Sequence, residues 1–393
     1  MSRPTGVASP SPRRWGRIAL AACALPGVMP ALLPDTAHAE EPPEQAVIAA
    51  KLAGYQDSQP GLKRLSVHTP SLYLLTPVGS HWAAEGSLTR DEVSGATPRY
   101  YTDVSGASRM HDQRTAGDVR LTRYFERDSV STGLAHSTEH DYVSTALSLA
   151  ATHASDDQNT TWNAGLGVSR DRINPVNGTV HNERRSGLEL QGGVTQALSP
   201  RDLVQATLTA SLGSGYYSDP YKLYDNRPRT RNAGIAVLRW NHALSGDGGL
   251  AGWFGGALKT QYRLYHDSFG INAHTVELAW AKPVGDRLTL TPLLRYHTQN
   301  AARFYIDPAS DPSVYPGPFG SPRYSSADPR LAAFGAATVG LRADLRLGAQ
   351  WSLDSKVEVY TQDSQARVLL GRGSPGLAPL TAVMWQIGVS RRF

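Results

Sequence analysis

Val383-Met384-Trp385-Gln386-Ile387-Gly388-Val389-Ser390-Arg391-Arg392-Phe393 alternates with a period of two almost from end to end. Val383, Trp385, Ile387, Val389 and Phe393 fall on one side of an extended chain, and Met384, Gln386, Gly388, Ser390 and Arg392 fall on the other. Successive side chains of a β-strand point to opposite faces, so this stretch is predicted to be a strand touching two media, one apolar and one wet. Arg391 breaks the apolar side, and its long side chain is expected to snorkel to a membrane interface.

A strand of this kind with a terminal Phe resembles the closing strand of a bacterial outer-membrane β-barrel. The alternation recurs upstream. Trp351, Leu353, Val357 and Val359 oppose Ser352, Asp354, Lys356 and Glu358; Phe254, Leu258, Tyr262 and Leu264 oppose Lys259, Gln261 and Arg263. Val276, Leu278 and Trp280 oppose Thr275 and Glu277, and Leu288, Leu290, Leu294 and Tyr296 oppose Thr289, Thr291, Arg295 and His297. Period two outperforms the helical period throughout. Further segments centre on 46–56, 63–77, 81–92, 115–125, 128–139, 142–153, 159–170, 184–198, 203–214, 230–243 and 331–347, which brings the count to about sixteen.

Connection lengths test that count, because such barrels join strands by short periplasmic turns and longer external loops. Short turns are expected at 77–80, 126–128, 155–158, 199–202, 245–249, 283–286 and 348–350. Loops are expected near 58–62, 93–114, 140, 171–183, 215–229, 267–270, 301–330 and 363–379. Alternation of the two kinds gives an all-β, transmembrane antiparallel barrel of about 16 strands with both ends periplasmic; fourteen stays open because the N-terminal hairpin is weakly patterned. A soluble β-sandwich would have to bury Lys259, Arg263 and Glu358 without partners, which is costly.

The chain starts with Arg13, Arg14 and Arg17, an apolar run from Ile18 to Leu33 broken by Pro26 and Pro30, and Ala37-His38-Ala39. This reads as a cleaved signal peptide over 1–39, leaving residues 40–393 as one barrel domain. The Arg-Arg pair also raises the twin-arginine route, and Leu20-Ala21-Ala22-Cys23 mimics a lipoprotein box, although too few apolar residues separate Arg17 from Cys23. Removing the segment takes away Arg3, Arg13, Arg14, Arg17 and Asp35, so the formal charge falls from +5 to +2. The remaining balance gives no footprint for nucleic acid. No later apolar stretch approaches the roughly 18 residues a membrane helix needs. Tyr (17) and Trp (8) outnumber Phe (7), as interfacial girdles favour.

Several connections carry distinctive strings: SGASRMHD (105–112) followed by TAGD (115–118), TEHDY (138–142) and DPYKLYDNRPRTR (219–231), with YSSAD (324–328) further on. Together these strings are similar to an uncharacterised family of proteobacterial outer-membrane barrels, known as domain of unknown function 3570. The resemblance extends over nearly the whole mature chain. It implies a barrel in the outer membrane and no particular activity.

Three His-Asp pairs, His111-Asp112, His140-Asp141 and His266-Asp267, fall at expected loop ends. Imidazole and carboxylate together could hold a divalent metal or form an acid-base pair at the rim. Solvated loop ends are the plainer reading. Arg227, Arg229 and Arg231 could grip lipopolysaccharide phosphates, or they could be rim cations without a ligand. Gly371 to Gly376 spells a dinucleotide fingerprint but follows no parallel strand and opens no helix, so it is read as a loop.

At sixteen strands a barrel can leave an aqueous bore. The first functional expectation is a porin-like channel for small polar solutes, with Lys259, Arg263, Glu277, Arg295, Asp354, Lys356 and Glu358 facing the lumen. A barrel sleeve around an envelope lipoprotein or redox partner is the second, and a rim enzyme on the His-Asp pairs is the third. No cofactor is called for, and the sequence favours a non-enzyme. The expected partners are outer-membrane lipid, lipopolysaccharide and the barrel assembly machinery.

Overall fold

The computed structural model describes residues 41–95, 110–222, 225–245, 255–307, 324–369 and 371–393. The expected signal peptide, residues 1–39, lies outside the described residues, as do Ser105 to Arg109 of the first distinctive string. Sixteen strands follow in chain order: β1 (Val47–Gln59), β2 (Leu62–Val78), β3 (Trp82–Gly95), β4 (Met110–Tyr124), β5 (Asp128–Thr138), β6 (Tyr142–Ala154), β7 (Thr160–Ile173) and β8 (Glu183–Ser199). The second half comprises β9 (Asp202–Gly215), β10 (Thr230–Leu244), β11 (Gly256–Asp267), β12 (Asn272–Val284), β13 (Leu288–Gln299), β14 (Phe334–Arg346), β15 (Trp351–Asp363) and β16 (Leu380–Arg392).

Each strand pairs antiparallel with its sequence neighbours, and β1 pairs with β16 from Val47↔Arg392 to Ser58↔Thr381, closing the sheet. The two ends of the described chain also meet there: Phe393 N–H donates to Ala46 O at 3.0 Å and Ala46 N–H donates to Phe393 O at 2.9 Å. Closure removes the sheet edges, so every strand finds a ladder partner on both sides.

The alternation then sorts side chains by face. Leu72, Leu88, Val119, Leu147, Leu208, Leu294 and Val339 point outward and are 53–68% exposed, whereas charged and small residues point inward. In water this belt would be a very large exposed apolar patch; in hydrocarbon it is the contact surface. A second outward ring lies near the short turns. Arg123 stands 5.4 Å from the Trp82 ring, Lys282 5.2 Å from Trp280 and Arg391 5.4 Å from Trp351. His153 stacks on Trp162 at 5.7 Å and His242 lies 5.5 Å from Trp240. Arg391 therefore keeps its charge over an indole face at the girdle.

Three of the boundaries that differ from the sequence reading bear on the candidate residues and loops. β4 starts at Met110 and so takes in His111 and Asp112, which pair with Ser94 and Val93 of β3. β11 starts at Gly256, so the connection after β10 is longer than the short turn expected at 245–249, and Phe254 lies outside the described residues. β14 starts at Phe334 because Pro329–Leu331 form a 3-10 turn capped by the Asp328 carboxylate.

Candidate functional site: the lumen wall and the mouth

The seven candidates of the wall lie on the strand faces opposite the exposed apolar residues, and five of them are tied into ion pairs. On β12–β15, Arg295 Nε donates to Glu277 Oε2 at 2.7 Å and its other end stands 3.7 Å from Glu358, which also lies 2.9 Å from Lys356 Nζ. Arg295 reaches β15 over β14, where Gly340 sits beside Glu358; a Cβ at 340 would fall 2.8 Å from Glu358 Cγ. Asp354 is met by Lys51 from β1 at 3.4 Å and by Gln386 Nε2 at 2.8 Å. Arg263 stacks over the Tyr265 ring at 5.3 Å. Lys259 faces inward between Asn241 and Ala279.

The wall holds further groups that the sequence reading did not single out. Arg342 pairs with Asp344 at 2.6 Å, Arg114 with Asp91 at 2.7 Å and Arg120 with Glu85 at 3.7 Å. Arg239 bridges Gln205 and Gln261 at 2.8 and 2.7 Å. They were missed because a strongly alternating strand advertises its greasy face, while any one inward charge looks like any other.

Several external loops knit together over the mouth, with the β9–β10 connection as the hub. Arg227 makes a bidentate contact to Asp225 at 2.8 and 2.7 Å and a third to Asp328 at 2.7 Å. Ser326 donates to Asp225 at 2.7 Å, and Asn226 and Ser325 exchange two backbone hydrogen bonds. Arg330 caps the cluster from Asp328, 3.4 Å from Asp219. On the other side Tyr221 donates its hydroxyl to Asp141 and receives Val176 N–H at 3.1 Å. Since Asp141 follows β5 and Asp328 precedes β14, these contacts skip over intervening strands and draw the hub inward across the rim.

Beneath the hub, Phe269, Ile271, Ala302 and Leu331 form an apolar knot with Tyr217, Tyr265, Phe304 and Tyr305 around it. Burial alone would push the Asp328 carboxyl up, but Arg330, Lys222 and Arg227 outweigh it and hold the group well below the ordinary carboxylate range. Asp225 goes the other way: burial raises it against the pull of Arg227, with Asp219 and Asp328 adding to the rise.

The side chains of His111 and Asp112 lie outside the described residues, while those of His266 and Asp267 part company. His266 faces outward and bonds Asn272 at 2.8 Å, while Asp267 faces inward to Arg231 at 2.7 Å and Tyr265 at 2.8 Å. Adjacent strand residues cannot share a face, so the alternation itself separates this pair. Asp141 is engaged by Tyr221, and His140 is exposed beside it. Among the described residues no cluster of three metal-ligating side chains occurs. The arginines of the hub are likewise engaged within the chain: Arg227 as above, Arg229 with Glu183 at 2.6 Å and Arg231 with Asp267.

A family model described as "Protein of unknown function (DUF3570)" matches residues 102–183 and 179–380. A search of curated protein sequences returned no match. Among solved structures, the chain is similar to a bacterial polysaccharide outer membrane secretin (8% identity, TM-score 0.48, 88% of this chain and 98% of that one). It is also similar to CdiB from Acinetobacter baumannii (9% identity, TM-score 0.48, 87% of this chain and 60% of that one). A third likeness is to an anion-selective porin from Comamonas acidovorans (12% identity, TM-score 0.38, 89% of this chain and 100% of that one). At such identities none of them assigns an activity.

Proposed function

The chain belongs to the DUF3570 family of proteins of unknown function, and from its geometry we propose a porin-like channel that passes small polar solutes across the bacterial outer membrane. One observation carries the reading: ion pairs on the inner wall stay in reach of solvent. The side chains of Arg295 and Glu277 are 26% and 25% exposed, and those of Arg342 and Asp344 are 30% and 36% exposed. Their strands are sheathed outside by apolar side chains, so the solvent that reaches them is water within the bore.

Both signs line the wall and neutralise one another pairwise, which favours weak ion selectivity. The loop cluster narrows the external mouth and limits the size of what enters. Reconstitution of the purified, heat-modifiable barrel into planar bilayers should give stepwise conductance that saturates only at high salt. A folded barrel that stays electrically silent would remove this reading.

A further inference from the structure

Cations on the outward wall mostly have an obvious partner. At the short-turn end they lie over indole rings, as Arg123, Lys282 and Arg391 do. At the opposite end of β3, Arg90 stands 3.5 Å from Glu92 and bonds Gln113 at 3.1 Å. Arg170 and Arg172 on β7 and Arg184 on β8 are different. All three are exposed, all three point outward, and none has an ion-pair or hydrogen-bond partner among the described residues.

Their placement makes the lack of a partner costly. Arg172 and Arg184 are directly paired in the β7–β8 ladder, an arrangement in which like charges repel. Arg170 is two residues along the same face of β7, about 7 Å away. The nearby carboxylates look the other way: Asp171 and Glu183 face inward, paired with Arg185 at 2.8 Å and Arg229 at 2.6 Å. Around the triplet lie Ser186 and Thr145, the latter bonded to His136 at 3.0 Å. Immediately below begin Val168 and Leu166, 44% and 41% exposed, at the top of the apolar belt.

We infer that Arg170, Arg172 and Arg184 form a docking surface for a phosphorylated glycolipid of the outer leaflet. Guanidinium groups present forked donors that match phosphate oxygens bidentately, and an anion shared by Arg172 and Arg184 turns their repulsion into attraction. The adjoining leucine and valine side chains receive the acyl chains of the same molecule, so one ligand satisfies both halves of the surface. Charge complementarity and continuity with the lipid-facing wall select this occupant over a protein partner. The inference rests on the membrane-spanning fold and is independent of the channel reading.

The test measures binding of diphosphorylated lipid A in detergent micelles to the purified barrel, beside dephosphorylated lipid A and inorganic phosphate. The parent should bind the diphosphorylated lipid, and the Arg170→Ala, Arg172→Ala, Arg184→Ala triple variant should bind it roughly tenfold or more weakly. Replacing the three by lysine should restore part of the loss. Equal binding by parent and triple variant overturns the assignment, as does equal binding of the dephosphorylated lipid. Full competition by inorganic phosphate at equal concentration would also overturn it, since the site would then recognise no lipid. If the triple variant loses its heat-shifted gel mobility, Arg172→Gln and Arg184→Gln singly are measured instead, each expected to weaken binding; unchanged affinity in both sinks the proposal. Bilayer conductance should not change in these variants, which separates failure here from failure of the channel.

Discussion

Lys51 on the first strand reaches Asp354 on the fifteenth, 3.4 Å away, by passing over Gly388 of the last strand. A Cβ at position 388 would fall 2.4 Å from Asp354 Oδ1, so a side chain there pushes the carboxylate away from its place in the ion pair. The barrel's closing seam is thus pinned by a contact that spans three strands and lies 14% and 11% exposed at its two ends. The pairing Lys51↔Gly388↔Asp354 exists only when β1 and β16 are in this register.

Gly388→Ala should therefore weaken closure more than an ordinary strand substitution of glycine, which alone would favour the sheet. We expect a loss of about 1–3 kcal/mol, the cost of leaving a partly buried charge without its partner. The temperature at which folded gel mobility converts to unfolded mobility should drop in Gly388→Ala and in Asp354→Asn. A rise in Gly388→Ala would show that the seam does not depend on this contact.

Selectivity should follow the inward pairs. Glu358 is approached by both Arg295 and Lys356, and Glu277 by Arg295. Arg295→Gln with Lys356→Gln leaves two carboxylates without counter-charges, so the channel should turn several-fold more cation-selective. Reversal potentials under a salt gradient read this directly. An unchanged potential would mean that permeating ions do not pass these side chains.

The mouth should loosen when its central cation is removed. Arg227 is 8% exposed and holds Asp225 and Asp328, which are almost fully buried. Arg227→Ala takes the cation from Asp225 while Asp328 keeps Arg330, a change worth about 3–5 kcal/mol for a buried carboxylate left without its counter-charge. Amide exchange should accelerate in the β9–β10 connection and in residues 324–333, while the strands stay protected. Single-channel conductance should rise together with its noise.

Acid should open the same cluster, and the sign comes from Asp328. Its carboxyl is depressed in the folded cap, so it contributes stability that is present above its unfolded value of about 3.9 and lost as pH falls through the folded value. Asp225, raised by burial, acts oppositely: its ionised form costs the cap stability at neutral pH, and protonation relieves that cost. Limited proteolysis of the hub should stay slow from neutrality until the pH is below the ordinary carboxylate range, then accelerate. In Asp328→Asn the acid step should vanish. A step that survives this substitution would assign the transition to another group.

How much of this was legible beforehand differs between wall and mouth. The strand count, the terminal pairing and the outward face of Arg391 follow from alternation and connection length, both of which are local. The split between His266 and Asp267 was legible in principle as well, since two neighbours in a strand face opposite ways once the strand is known to run through both. The hub was legible only as strings: Asp219 to Arg231 and Tyr324 to Asp328 stood out separately, with nothing to say that Arg227 belongs to Asp328.

The sequence by itself determined a sheet with one greasy and one wet face and the order in which its strands follow, because side-chain direction in a strand depends only on residue parity. Tertiary structure alone decided which inward charges neutralise one another, that Arg170, Arg172 and Arg184 meet no partner among the described residues, and that two loops some hundred positions apart share one buried cation. Parity says which way a side chain points. Only closure of the ring and the folding of its loops decide what it meets there.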